Sequence, residues 1–343
     1  MRNDFSRADQ VVRKGLRDGA YTAACLLVGC GEKVLFRRAY GRLGMDDDSP
    51  QTSEQTRFDV DSLTKPLVTG MLAFRAMEAG KLCLNDPLGA FIDAPEDKAE
   101  ITIAQLLTHT SGLPTGLHLW REAQTPEDAA QVILSAPLSA KPGEKVQYGC
   151  AGYILLGQLL ECLFGMELSE AAMQEVFWPL GMQRTGFNPS DGNIAATEMQ
   201  DDGRCLQGVV HDENARFMGG VSGNAGLFST MDDIALLMQM IAAEGMLPNG
   251  SRYLSKASIR LMKEERAPGR GLGFAFPAGG GFTGDLFPKE TIGHTGFTGC
   301  SAALDPTLGV YVVFLTNRIC PSRENPAIHR IRRLLHNAVY AAV

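Results

Sequence analysis

Several things are missing from these 343 residues, and each absence removes a class of function. There is no lysine–arginine run and no basic stripe. The formal net charge is −7, with both signs mixed along the chain, so nucleic acid is not an expected partner. Mild acidity of this kind speaks to solubility more than to partners. No apolar run reaches the length that spans a bilayer. The opening stretch, "MRNDFSRADQVVRKGLRDGAY", carries charges throughout and lacks the apolar core of a secretory signal. Its Phe5, Val11, Val12 and Leu16 suit a short amphipathic helix instead. The eight cysteines include no CxxC pair, and none stands with histidine at zinc spacing. Free, mostly buried thiols in a reducing compartment are expected, and hence a cytoplasmic location unless a leader has been removed. No internal repeat is present, and the glycine-rich "AGGGFTG" reads as a loop. It lacks the Lys-Ser/Thr of a phosphate-binding loop, so a nucleotide is not expected.

What remains is an ordinary globular composition, 45% hydrophobic and 21% charged. "YTAACLLVGCGEKVLFRRAYG" reads as two strands around a Gly-Glu-Lys turn. A helix is expected from near Ser62 to about Ala79, ending at Gly80. It is apolar nearly all round and therefore buried. From about residue 81 to 210 the pattern is mostly helical. After a loop-rich stretch, "TMDDIALLMQMIAAEG" starts like a capped helix, with Thr230 ahead of Asp233. Its methionines read as core filling. The last hundred or so residues turn β again, in "GLGFAFP", "TIGHTGFT", "CSAALD" and "VYVVFLTN", before a closing helix "PAIHRIRRLLHNAVYAA". The economical arrangement is an α/β fold. An antiparallel sheet is built from both chain ends and flanked by helices, with a mostly helical region inserted. Residues 1–61 and 211–343 would form the sheet region and 62–210 the helical region of one integrated catalytic domain.

"DVDSLTKPLV" places Ser62 three residues before Lys65, on one face of that helix. A buried lysine is costly, because desolvation disfavours its charge. A serine hydroxyl is a weak nucleophile until a base takes its proton. A lysine whose pKa has been lowered by burial can be that base, and the helix N-terminus stabilises negative charge beside the serine. Alone, Ser-x-x-Lys is weak, and a helix-capping serine with a snorkelling lysine is the alternative. Two further elements strengthen it. Tyr148 in "VQYGCAGYILLG" precedes a predicted helix, where its phenol can enter a cleft and exchange protons with the lysine. His294, Thr295 and Gly296 in "IGHTGFTG" lie on a predicted strand. Small residues there let a substrate approach closely, and the strand can turn a backbone N–H toward an oxyanion.

In this order the elements resemble the serine β-lactamase and penicillin-binding-protein family, most closely its class C branch, which includes D-alanyl-D-alanine peptidases and esterases. "RFDVDSLTKPLVTGML", "ITIAQLLTHTSGLP", "QYGCAGYILLGQLLE", "NAGLFSTMDDIALL" and "GHTGFTGCSAALDP" carry the resemblance over almost the whole chain. "VHDENARFMGGVSGNAGLFST" resembles a narrower group that includes amidases of cell-wall muropeptides. The resemblance implies Ser62 as the acylated nucleophile, with Lys65 and Tyr148 handling protons. It implies an oxyanion hole from the Ser62 and Phe297 N–H groups, substrate contacts from His294, Thr295, Gly296 and Cys150, and no metal or organic cofactor.

Two departures stand out. The branch usually has Tyr-x-Asn where this chain has Tyr148-Gly149-Cys150. A thiol is a weak donor and acceptor, so Lys65 can lose an anchor and amide recognition suffers. Cys150 is either a small tolerated residue or a thiol made reactive by the lysine. His294 replaces the usual lysine, which lowers positive charge and can give substrate preference a pH dependence. His109 reads as structural. His211, Asp212 and Glu213 read as a hydrogen-bonded loop bordering the cleft rather than a metal site. Arg318 and Arg323 read as surface or loop-anchoring residues, with binding of an anionic substrate group as the alternative. The expected activity is cleavage of an amide or ester, with a small-molecule or peptide substrate derived from peptidoglycan. An esterase or weak β-lactamase is the near alternative, and a non-catalytic ligand-binding or sensor domain is the rival.

Overall fold

The computed structural model describes residues 4–277 and 282–343. The first four residues of the glycine-rich "AGGGFTG" therefore lie outside the described residues. Eight strands form two sheets: β1 (Ala23–Cys30), β2 (Lys33–Gly41), β3 (Phe58–Asp59), β4 (Gly186–Phe187), β5 (Leu227–Ser229), β6 (Ile292–Thr295), β7 (Ser301–Leu304) and β8 (Val310–Thr316). The main sheet runs β2-β1-β8-β7-β6 and is antiparallel throughout, so both chain ends supply it. Leu26 faces Phe314 and Leu27 faces Val313 across the β1–β8 pair.

Alternation along these strands decides what each face covers. Leu26, Val28, Val312 and Phe314 pack with Phe5 and Val12 of the N-terminal helix Ser6–Arg17 and with Ile328, Leu335 and Val339 of the C-terminal helix Ala327–Tyr340. Cys25, Leu27, Val313 and Leu315 point the other way, into a larger core shared with Leu67, Met71 and Leu72. Burial of both faces explains why β1 and β8 read as nearly continuous apolar runs. The helix Met231–Ala242 packs on that second face, and Thr230 Oγ1 accepts the Asp233 N–H at 3.2 Å as its cap.

The nucleophile segment is not one regular helix. Asp61–Leu63 is a tight 3₁₀ turn, Lys65–Gly70 is wound wider than an α-helix, and only Met71–Glu78 is regular. Wide turns of this kind often mark functional sites. Gly80 follows at φ +67°, where glycine costs least. One sequence expectation fails here. The stretch "GLGFAFP" forms no strand, and only Ala275 bridges to Gly293. Gly273, at φ +87°, packs against Gly70 of the nucleophile segment, which bends the chain away from an extended path. The region expected to be helical also contributes β4, which joins β5 and β3 in a small sheet beneath Ser62.

Candidate active site

Ser62 and Lys65 are brought together by the turn that contains them. Lys65 Nζ donates to Ser62 Oγ at 3.0 Å and to the Asn224 carbonyl at 3.0 Å. Lys65 is completely buried, and its ammonium also lies 5.1 Å from the Tyr148 ring centroid and 5.7 Å from that of Tyr153. Burial works against its charge, but Tyr148, Cys150 and Asp61 outweigh burial and hold its pKa above the ordinary lysine value. The direction is opposite to the lowering that burial alone would give.

Tyr148 is 40% exposed and lines a cavity of about 520 Å³ together with Ser62, His294, Thr295, Gly296 and Phe297. The Arg270 guanidinium lies 4.7 Å from its ring centroid, so two cations face the phenol. His109 supports the same segment from below. Its ring is 4.5 Å from that of Tyr148, and it accepts the Gly149 N–H at 3.4 Å.

His294 is buried, and its Nδ1 lies 2.8 Å from the Thr295 carbonyl. A carbonyl only accepts, so Nδ1 carries the proton and Nε2 is left as an acceptor, with no partner among the described residues. Burial, then Lys65 and Arg270, push the His294 pKa well below its ordinary value. The expected pH dependence from this residue is thus not supported, because the ring stays neutral across the neutral range. Gly296 lines the cavity and is also constrained by packing. A Cβ there would lie 2.4 Å from the Val60 carbonyl, so the end of β6 closes directly on the nucleophile turn.

Cys150 is half-buried at the start of the helix Ala151–Phe164. Burial pushes its thiol up to about 11 although Lys65 pulls the other way, so it is not a reactive thiolate at neutral pH. The Asn224 carbonyl holds the lysine instead. Asn224 is itself fixed by Ser222 Oγ at 2.7 Å and by Asp212 at 3.3 Å. The eight cysteines are free, but Cys83 and Cys162 are exposed and only Cys25, Cys300 and Cys320 are fully buried.

The "HDEN" loop borders the site through hydrogen bonds. The His211 N–H donates to Asp59 at 2.7 Å, Asp212 accepts the Ala215 N–H at 2.7 Å, and Glu213 pairs with Arg323 at 2.7 Å. The His211 ring stacks on that of Phe297 at 5.8 Å. Arg323 anchors a loop by pairing with Glu198, as expected. Arg318 anchors the same loop, as expected, by donating to the Arg323 and Asn325 carbonyls at 2.8 and 3.0 Å. It is buried, lines the cavity, donates to the Phe297 carbonyl at 2.7 Å and lies 4.3 Å from the Phe297 ring centroid.

Sequence reasoning missed Asp61, Asn224, Arg270 and Arg332. Only Asp61 had a signal, an acid immediately before the nucleophile. It is buried, at φ +47°, and its carboxylate accepts the Phe297 N–H. Its own N–H donates to Asp59 Oδ1 at 2.9 Å. Burial, then Asp61, push the Asp59 carboxyl up to about 7.

The family model described as Beta-lactamase matches residues 8–336. The chain belongs to the β-lactamase family. A putative D-alanyl-D-alanine carboxypeptidase of Escherichia coli (strain K12) is 29% identical over 90% of this chain and 82% of its own length. Among solved structures, EstCE1, a hydrolase with promiscuous acyltransferase activity, covers 97% of both chains at 23% identity and TM-score 0.79. A penicillin-binding protein homologue from Caulobacter crescentus covers 99% of this chain and 97% of its own, at 20% identity and TM-score 0.79. These neighbours share the fold. This member of the β-lactamase family is a serine hydrolase.

Proposed function

We propose that Ser62 forms an acyl-enzyme with a peptide that ends in a free carboxylate, such as a peptidoglycan-derived D-amino-acid peptide. The observation that carries this is the 3.0 Å contact of the buried Lys65 with Ser62 Oγ at the wall of a cavity rich in arginine. Arg270, Arg318 and Arg332 all line that cavity. Arg332 is buried, its Nε has no hydrogen-bond partner, and it makes no ion pair among the described residues. A buried cation without a counter-ion fits an anionic ligand group.

In this reading the Tyr148 oxygen acts as the phenolate that Lys65 and Arg270 face, takes the Ser62 proton and becomes the neutral phenol. The Ser62 oxygen bonds the substrate carbonyl carbon, and the tetrahedral oxyanion turns to the Ser62 and Phe297 N–H groups. Collapse breaks the scissile bond, and Tyr148 returns the proton to the leaving amine. Water then attacks the ester and regenerates Ser62. The carboxypeptidase name of the 29% identical relative supports the same substrate class.

An ester substrate is the second reading, favoured by Cys150, whose thiol offers an amide carbonyl only a weak donor. Release of D-alanine from a peptide ending in D-Ala-D-Ala, compared with its C-terminal amide, tests the proposal. The free acid should be cleaved at least about 10-fold faster, a loss that matches one charged hydrogen bond. Equal rates would remove the carboxylate from the account, and cleavage of esters alone would favour the second reading.

A further inference from the structure

The N–H group expected to polarise the substrate carbonyl is already occupied. The Phe297 N–H donates to the carboxylate of Asp61, the residue directly before the nucleophile. That contact spans 236 positions of sequence and joins the nucleophile turn to the end of β6. Asp61 is itself buried, while Phe297 lines the cavity. An asparagine or aspartate tolerates the left-handed backbone better than most residues, which lets Asp61 hold φ +47° and aim its side chain across the turn.

We propose that Asp61 governs the rate and selectivity of acylation by acting as a built-in occupant of the oxyanion hole. The inference rests on the acyl-Ser62 reading above. A carboxylate oxygen bears the charge that an oxyanion develops, so it is a good guest for a site designed for one. While it stays, the substrate carbonyl lacks one of its two donors and meets a negative charge of the same sign as the one it must acquire. Acylation therefore requires Asp61 to leave. Arg318 is the cation on that side, stacked against Phe297 and attracted by the Asp61 charge. Substrates with extended binding contacts can offset the displacement. Small acyl donors cannot, so they react slowly.

The chemistry of the acylation step is unchanged. The Ser62 Oγ–carbon bond forms, the bond to the leaving group breaks, and the serine proton passes to the leaving group. Only the hydrogen-bond partner of Phe297 differs, being the carboxylate before the step and the acyl oxygen during it.

The test compares wild type, Asp61→Gly and Asp61→Asn for labelling of Ser62 by a fluorophosphonate and for acylation by a neutral p-nitrophenyl ester. Ser62→Ala serves as the control. Glycine suits φ +47° and empties the hole. Asparagine keeps an oxygen near Phe297 but removes the charge. Loss of one oxyanion donor typically costs about 10²–10³ in rate, so Asp61→Gly should acylate about 10–100-fold faster than wild type, with Asp61→Asn between them. A contact with a merely structural role would give the opposite sign, since breaking it would slow the reaction. Should Asp61→Gly fail to fold, Asp61→Asn against wild type carries the same comparison. Labelling of wild type as fast as or faster than both variants, on Ser62, overturns this inference and leaves the hydrolase reading intact. No adduct on any of the three folded proteins overturns both.

Discussion

Lys65 is three residues from Ser62 in sequence and 3.0 Å from it in space, and its charge is held by a carbonyl, two ring faces and nearby Asp61. Lys65→Met should keep the fold, because an apolar chain of similar volume replaces a costly buried charge. It should lower kcat/KM by about 10²–10⁴, the range for loss of positioned proton-transfer chemistry. Circular dichroism beside ester hydrolysis measures both effects, and retained activity would remove Lys65 from the site. His294 gives a second test. Its folded pKa is depressed, so the ring is neutral above its ordinary pKa and stays neutral well below it. The kcat/KM profile from pH 6 to 8 should therefore show no inflection that His294→Gln removes. An inflection near 6.5 that disappears in the variant would contradict the assignment. The Ser62–Lys65 pair was legible because helical spacing is a local property. Arg270 was not, since it reaches the site through tertiary packing from a segment with no chemical pattern of its own, and Asn224 holds Lys65 through its backbone carbonyl, which no side-chain motif marks.

The nucleophile turn and the end of β6 are fitted to each other as elements. Gly296 admits the Val60 carbonyl, Thr298 Oγ1 donates to the Asp59 carbonyl at 2.8 Å, and Phe297 meets Asp61. Gly296→Ala should cost about 1–3 kcal/mol, the usual range for forced overpacking. For a chain of 343 residues that lowers the melting temperature by roughly 1–2 °C per kcal/mol, from an unfolding entropy of about 2.1 cal/mol/K per residue. It should also slow acylation by moving Phe297. A variant with wild-type melting and wild-type rate would contradict the fit. Strands β1 and β8 were readable from their apolar runs, and the helix Met231–Ala242 from its cap. The failure at "GLGFAFP" has the same cause as the fit just described. Contact between Gly273 and Gly70 overrides local strand propensity.

At the scale of the whole molecule, the loop around Arg323 is tied to the "HDEN" loop through Glu198. Arg323 and His211 both reach its carboxylate, at 2.6 and 2.9 Å. Although burial works against the charge, these partners hold the Glu198 pKa down to about 2. A folded pKa below the unfolded one gives stability that is present above the ordinary glutamate range and is lost as pH falls toward 2. His336 acts in the same direction, because burial holds it down to about 3. Its contribution is present above the ordinary histidine value and lost as pH falls through 3. Urea midpoints should fall steadily from pH 6 to pH 3. Glu198→Gln should flatten the part below pH 5, and an unchanged slope would contradict the pairing. The sheet from both chain ends and the family were legible in the sequence, since both rest on runs and motifs spread along the chain. The gate at Asp61 was not, because only the fold brings Phe297 across 236 positions to meet it. The central claim is an activated Ser62. Intact-mass spectrometry of wild type and Ser62→Ala after long incubation with a fluorophosphonate tests it most directly. The account expects one adduct on the wild type and none on the variant. An adduct on both proteins, or on neither while both are folded, would contradict it.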